Sequence, residues 1–103
     1  MAYSFIIKDE AIKELSEAII WYEDQQDGLG ITFRICFYTK LGQVCANPLH
    51  YKNSYKKYHE ALTDTFPFQI VYVIKEKENL IIVVAIFHTS RNPKSKFRKH
   101  RLK

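Results

Sequence analysis

Cysteine, glycine and proline are all scarce in this 103-residue chain, which has two cysteines, three glycines and three prolines. Two cysteines cannot supply a disulfide framework. Nearly half of the residues are apolar and 15% are aromatic, so a hydrophobic core carries the stability. Cys36 and Cys45 fall in one segment that reads as helix. Nine residues of separation do not bring two side chains of a helix together, so free thiols in a reducing compartment are expected. Three glycines leave no phosphate-cradling loop, and Gly28 and Gly30 are accounted for by helix termini. The longest apolar run, residues 80–87, falls well short of the roughly twenty residues that cross a bilayer. The opening Met1-Ala2-Tyr3-Ser4-Phe5-Ile6-Ile7-Lys8 has no basic region followed by a long apolar core, so no signal peptide is read. A soluble, cytoplasmic protein is expected.

Acidic residues are missing from the C-terminal end. Residues 94–103 hold Lys94, Lys96, Arg98, Lys99, Arg101 and Lys103 with no carboxylate, whereas the other 93 residues carry ten basic and eleven acidic side chains. The formal charge of +5 therefore resides in the tail. Such a tail favours polyanions through counterion release, and it equally serves as a solvated, solubilising terminus. One domain over 1–93 with a basic tail over 94–103 follows.

Periodicity fills in the elements. Residues 3–7 suit a first strand. Asp9 can cap a helix, with Glu10 against the positive end of its dipole. Ile12, Leu15, Ile19 and Tyr22, joined by Ala11 and Ala18, make its apolar face, and Lys13, Glu14, Glu17 and Glu23 take the solvent side. Asp27-Gly28 stops that helix, Gly28 in the left-handed conformation. A second helix shows Leu29, Phe33, Cys36-Phe37, Lys40-Leu41 and Val44 and ends at Asn47-Pro48. Strands are read over 58–62, 68–74 and 80–88. Pro67 opens the second, residues 75–79 turn into the third, and the third is covered on both faces. The order β-α-α-β-β-β implies an α+β fold, a mostly antiparallel sheet packed against an N-terminal helical hairpin.

On that order four local patterns carry a resemblance. They are Ile19-Ile20-Trp21-Tyr22-Glu23-Asp24-Gln25-Gln26-Asp27-Gly28-Leu29-Gly30 followed by Phe33; Asn47-Pro48; Phe66-Pro67-Phe68 with Val71-Tyr72; and Phe87-His88-Thr89-Ser90-Arg91-Asn92-Pro93. Together they resemble the ParE/RelE superfamily of bacterial toxins, nearest its ParE-like, plasmid-stabilisation members. The resemblance implies the RelE/ParE-like fold and a toxin that arrests growth until a cognate antitoxin binds it. It also implies one of two targets: DNA gyrase, associated with ParE-like members, or messenger RNA on the ribosome, cut by RelE-like members. A degenerate member that only binds antitoxin is a third reading.

Metal-free RNA cleavage needs a base, an acid and a cation for the phosphorane charge. His88 can serve as base or acid and Arg91 as phosphate clamp. Lys57 and His59 can approach from a neighbouring strand, with Glu60 a further acceptor. The structural alternatives are as strong. His88, in phase with Ile86 and Val84, also reads as a strand-end structural histidine. Lys57 and His59 read as guards of an edge strand, and Arg91 as a partner of Glu60 or Asp64. The 68–74 strand offers only Gln69 as a polar group, thin support for a nuclease. The favoured expectation is therefore a binding toxin with no chemistry, no cofactor and no small-molecule substrate. Target or nucleic-acid contact then falls to Arg91, Lys94, Lys96, Arg98, Lys99 and Arg101. His50, His59, His88, His100, Cys36 and Cys45 lack zinc-ligand spacing, so no metal site is expected. Ser90 lacks the context of a hydrolase nucleophile. Trp21 and Tyr22 continue an apolar helical face and read as packing residues. An acidic antitoxin segment would complement Lys52, Lys56, Lys57 and the tail.

Overall fold

Apolar and β-branched residues at Ser4–Ile7 form strand β1, which lies parallel to β5 (Leu80–His88) with Ser4 opposite Leu80 and Ile7 opposite Val83. The computed structural model describes residues 2–89; Arg91 and the basic tail lie outside the described residues. Helices α1 (Asp9–Gln25) and α2 (Leu29–Ala46) follow β1, then strands β2 (Lys52–Tyr55), β3 (Tyr58–Leu62), β4 (Phe68–Lys75) and β5. The sheet order is β1-β5-β4-β3-β2, every pair antiparallel except β1 with β5. The α+β expectation and the helical hairpin hold. One strand is added: Lys-Asn-Ser-Tyr has no apolar alternation, and β2 exists through its pairing with β3. The predicted edge strand 58–62 is consequently internal.

The hairpin is closed from α1. The Glu23 carboxylate accepts the Gly28 N–H at 2.9 Å through Oε2 and the Gly30 N–H at 3.0 Å through Oε1, serving donors that the start of a helix leaves unpaired. Gly28 sits at φ 86°, as its position predicts. A Cβ on Gly30 would stand 2.6 Å from the Ile19 carbonyl oxygen, so this glycine lets the helices approach. At the other end of α1, Lys8 rather than Asp9 occupies the cap position without a side-chain bond. Asp9 and Glu10 lie in the first turn, where the dipole favours them.

One core lies between helices and sheet, built from Ala11, Leu15, Phe33, Phe37, Leu41, Val44, Ile70, Tyr72, Ile81, Val83 and Ile86. A second cluster of Tyr58, Val71, Val73, Val84 and Ala85 occupies the opposite face of the sheet, so β5 is apolar on both sides as its sequence implied. A bulge shapes β5: Val71 pairs with Ala85 and Tyr72 with Val83, leaving Val84 extra. His88 is thus in phase with Ile86, Val83 and Ile81 and not with Val84, correcting the simple alternation.

Two α1 residues also depart from expectation. Ile12 is exposed, and Glu14 is buried. The reason for the second is the shortness of β1. Beyond Val83, whose carbonyl takes the Lys8 N–H, β5 has no strand on that side among the described residues, and the Ile86 N–H donates to Glu14 Oε1 at 2.9 Å. A buried backbone donor needs a partner, and α1 supplies one where the sheet does not.

Candidate functional site

His88 stands at the end of β5 opposite Phe68, its ring edge-on to Phe68 at 5.0 Å between centroids. The Thr89 N–H donates to the Pro67 carbonyl at 2.8 Å and fixes this end of the β4–β5 pair. Beneath it Tyr22, Phe33, Phe66 and Phe68 form a mutually packed aromatic group with centroids 4.9–6.0 Å apart. This explains the Phe-Pro-Phe pattern: two rings enter the core while the proline occupies the last position before the strand. Burial pushes the Tyr22 phenol above its usual pKa. Tyr22 is a packing residue as predicted, but Trp21, edge-on to Tyr22 at 5.1 Å, is exposed and not core.

His59 belongs to the other end of the sheet. Its ring stacks on Tyr72 at 5.4 Å, and Nδ1 lies 3.3 Å from the Tyr51 carbonyl oxygen. Lys57 is in the turn between β2 and β3, and both side chains line an open groove of about 510 Å³ with Leu49, Ile74 and the 75–78 turn. Tyr72 is fully buried and donates to the Pro48 carbonyl at 2.6 Å. Burial raises its pKa well above the ordinary phenol value, reinforced by Tyr51 and Cys45. Cys36 and Cys45 are free thiols, the buried Cys45 with its pKa raised by burial.

The pairing register separates the candidates. His59 pairs with Tyr72 and His88 with Phe68, four residues apart on β4, so their backbone positions are offset by about 14 Å along the strand at 3.4 Å per residue. His59 and Lys57 are brought together; neither is brought to His88. Glu60 is buried in β3 opposite Lys52, and Asp64 reaches Lys40 at 3.7 Å. Arg91, Lys94, Lys96, Arg98, Lys99 and Arg101 lie outside the described residues. Among the described residues no three His, Cys, Asp or Glu side chains are placed to share a metal ion, and no helix is long and apolar enough to cross a membrane.

What the periodicity missed is the outer side of α2. Ile31, Ile35 and Tyr38 recur at spacings of four and three on its exposed flank, opposite the buried Phe33, Phe37 and Leu41. Tyr38 meets Phe5 of β1 at 6.5 Å, and Arg34 lies over the Tyr38 ring at 5.5 Å. The signal was in the sequence, since α2 is apolar on both flanks.

The family described as the ParE toxin of the type II toxin–antitoxin system, parDE, matches residues 5–93. The chain belongs to the ParE toxin family. Within the ParE/RelE superfamily it is a type II toxin–antitoxin toxin, and the solved structures it resembles share its fold at low identity. The isolated Escherichia coli RelE toxin superposes with a TM-score of 0.64 at 19% identity over 90% of each chain. The intact E. coli RelBE toxin–antitoxin complex gives 0.65 at 19% identity over 87% of this chain and all of the other. The RelBE2 toxin–antitoxin complex of Mycobacterium tuberculosis gives 0.58 at 12% identity over 85% of this chain and 99% of the other. Among curated protein sequences none matches this ParE-family chain.

Proposed function

We propose that this ParE-family protein acts in the cytoplasm as a binding toxin. It would arrest growth by occupying a macromolecular target, DNA gyrase in the first place, and be neutralised by a cognate antitoxin. Family membership supplies the toxin half of this reading. The separation of His88 from Lys57 and His59 across the register supports the absence of nuclease chemistry. General acid–base cleavage gains its rate from charges oriented on one phosphate, and residues whose backbone positions are offset by about 14 Å are poorly placed to share one.

Inducing the chain alone in bacteria tests the proposal. The expected outcome is growth arrest with altered DNA supercoiling and intact transcripts, relieved by co-expressing the product of the adjacent short reading frame. Codon-specific mRNA cuts that disappear in His88→Ala would instead establish the ribosome-dependent nuclease. Growth without arrest would leave a member that only binds antitoxin.

A further inference from the structure

We infer that the groove at the Lys57–His59 end of the sheet binds a small organic phosphate monoester. Lysine and a protonated His59 hold its dianionic head, and its apolar body lies on Leu49 and Ile74. The site uses the pair that the register sets apart from His88, and it is independent of which macromolecule the toxin occupies.

The groove exists because the two layers of the fold end at different levels. Helix α2 stops at Ala46, and the chain turns through Pro48–His50, where the Tyr72 hydroxyl holds the Pro48 carbonyl. Strands β3 and β4 run on past this point. Continuing the register in which His59 faces Tyr72 sets Lys57 beside Ile74, two residues beyond the fully buried Tyr72. Leu49 borders the same space and is 66% exposed, so about 510 Å³ is left with apolar surface at Leu49 and Ile74. That volume falls in the range of roughly 300–1,000 Å³ found for small-molecule sites.

The rim is charged and is not neutralised from within. Lys57, Lys75, Lys77, Glu76 and Glu78 line it, yet among the described residues none of the five enters an ion pair. Three ammonium groups against two carboxylates leave one net positive charge, and His59 supplies a second. Its Nδ1 lies 3.3 Å from the Tyr51 carbonyl oxygen, which can only accept. Nδ1 therefore carries a proton, and Nε2 is the nitrogen left for the groove. Protonating Nε2 keeps the Tyr51 bond and turns an acceptor into a donor. The charged groups around the ring are Lys57 and those of the 75–78 turn, while Tyr51, Tyr72 and Asn53 on its other sides are neutral. Two positive charges match the two negative charges of a phosphate monoester above its second pKa of about 6. Lysine serves phosphate as a point charge. A single carboxylate would balance only half of this, and bare inorganic phosphate would leave Leu49 and Ile74 without a partner.

The test titrates the full chain with phenyl phosphate, followed by calorimetry and by the His59 ring resonances. Saturable binding with a Kd below about 1 mM is expected at pH 6.5, with inorganic phosphate and phenol each at least about tenfold weaker. Affinity should fall about tenfold by pH 8.5, because the bound state needs a proton that imidazole sheds in this range. In His59→Gln the fall should be under about twofold. Lys57→Ala with Lys75→Ala should weaken binding about tenfold, whereas Lys13→Ala on α1 should stay within about twofold of wild type. Melting is followed throughout; where loss of the ring on Tyr72 destabilises His59→Gln, the exposed lysine pair carries the test. Absence of saturation, equal affinity for inorganic phosphate, or an equal loss in Lys13→Ala overturns the site. A 5′-phosphorylated single-stranded oligonucleotide that binds more tightly than phenyl phosphate through the same lysines overturns it in favour of a nucleic-acid surface.

Discussion

Along β2 the outer edge of the sheet carries Lys52 and Asn53, shifts register between Asn53 and Tyr55, and runs into a turn where Lys56 adopts φ 49°. At the other edge β1 shows Phe5 and Ile6 to solvent in regular register with β5. The first edge has the charge and irregularity that discourage pairing with another chain; the second has neither. An exposed apolar edge is an adhesive one, so the two edges should differ in how readily they pair with another chain.

Beyond the reach of β1, which ends opposite Val83, the β1 side of β5 must be closed by something other than a strand. Glu14 enforces this by taking the Ile86 N–H. Glu14→Ala should strand that buried donor and cost about 2–3 kcal/mol, the range for removing one partner of a buried hydrogen bond. A drop in melting temperature of roughly 10–15 °C would follow for a chain of this length. Glu14→Gln keeps an acceptor and should cost about 1 kcal/mol. Equal melting of all three proteins would mean the upper part of β5 is closed by something other than α1.

At the guarded edge, β2 is delivered by the turn at Pro48–His50, and the Tyr72 hydroxyl holds Pro48. Tyr72→Phe should cost about 1–2 kcal/mol. It should also change the alkaline behaviour. The folded phenol has a pKa raised by burial, so above the unfolded value of about 10 the folded chain keeps a proton that the unfolded chain has released. The contribution of Tyr72 to stability is therefore flat below about pH 10 and falls as pH rises beyond it. Denaturation followed from pH 8 to 11 should show that fall in wild type and a smaller one in Tyr72→Phe. Parallel curves would contradict it.

The elements that carry a period were legible without coordinates. The 58–62 and 80–88 strands, the helical hairpin and the left-handed Gly28 follow from local pattern alone. What was not legible depends on partners far along the chain. Lys52–Tyr55 becomes a strand only because β3 offers it a ladder. The continuous apolar run of β5 contains no period that could mark Val84 as the extra residue. Glu14 looks like one more solvent-facing acid until Ile86, 72 residues later, is placed beside it. The candidate site suffered in the same way. His59 and His88 both lie near strand ends, and the pairing register sets them at different ends. The exposed Ile31, Ile35 and Tyr38 were hidden by an amphipathic reading that stopped once one face of α2 was accounted for.

The smallest effect on stability gives the most direct exchange between the two edges. Phe5→Lys copies to β1 the charge that β2 already carries. Phe5 is substantially exposed and its ring contact with Tyr38 is a distant 6.5 Å, so the change should cost under about 1 kcal/mol. Self-association should respond more strongly than melting. An unguarded apolar edge pairs weakly with itself as concentration rises, and one lysine in a four-residue strand suffices to oppose that. Sedimentation velocity across a hundredfold range of concentration is expected to show a rising mass for wild type and a constant one for Phe5→Lys. If the two proteins sediment alike at every concentration, β1 is no more adhesive than β2, and the contrast between the edges loses its consequence.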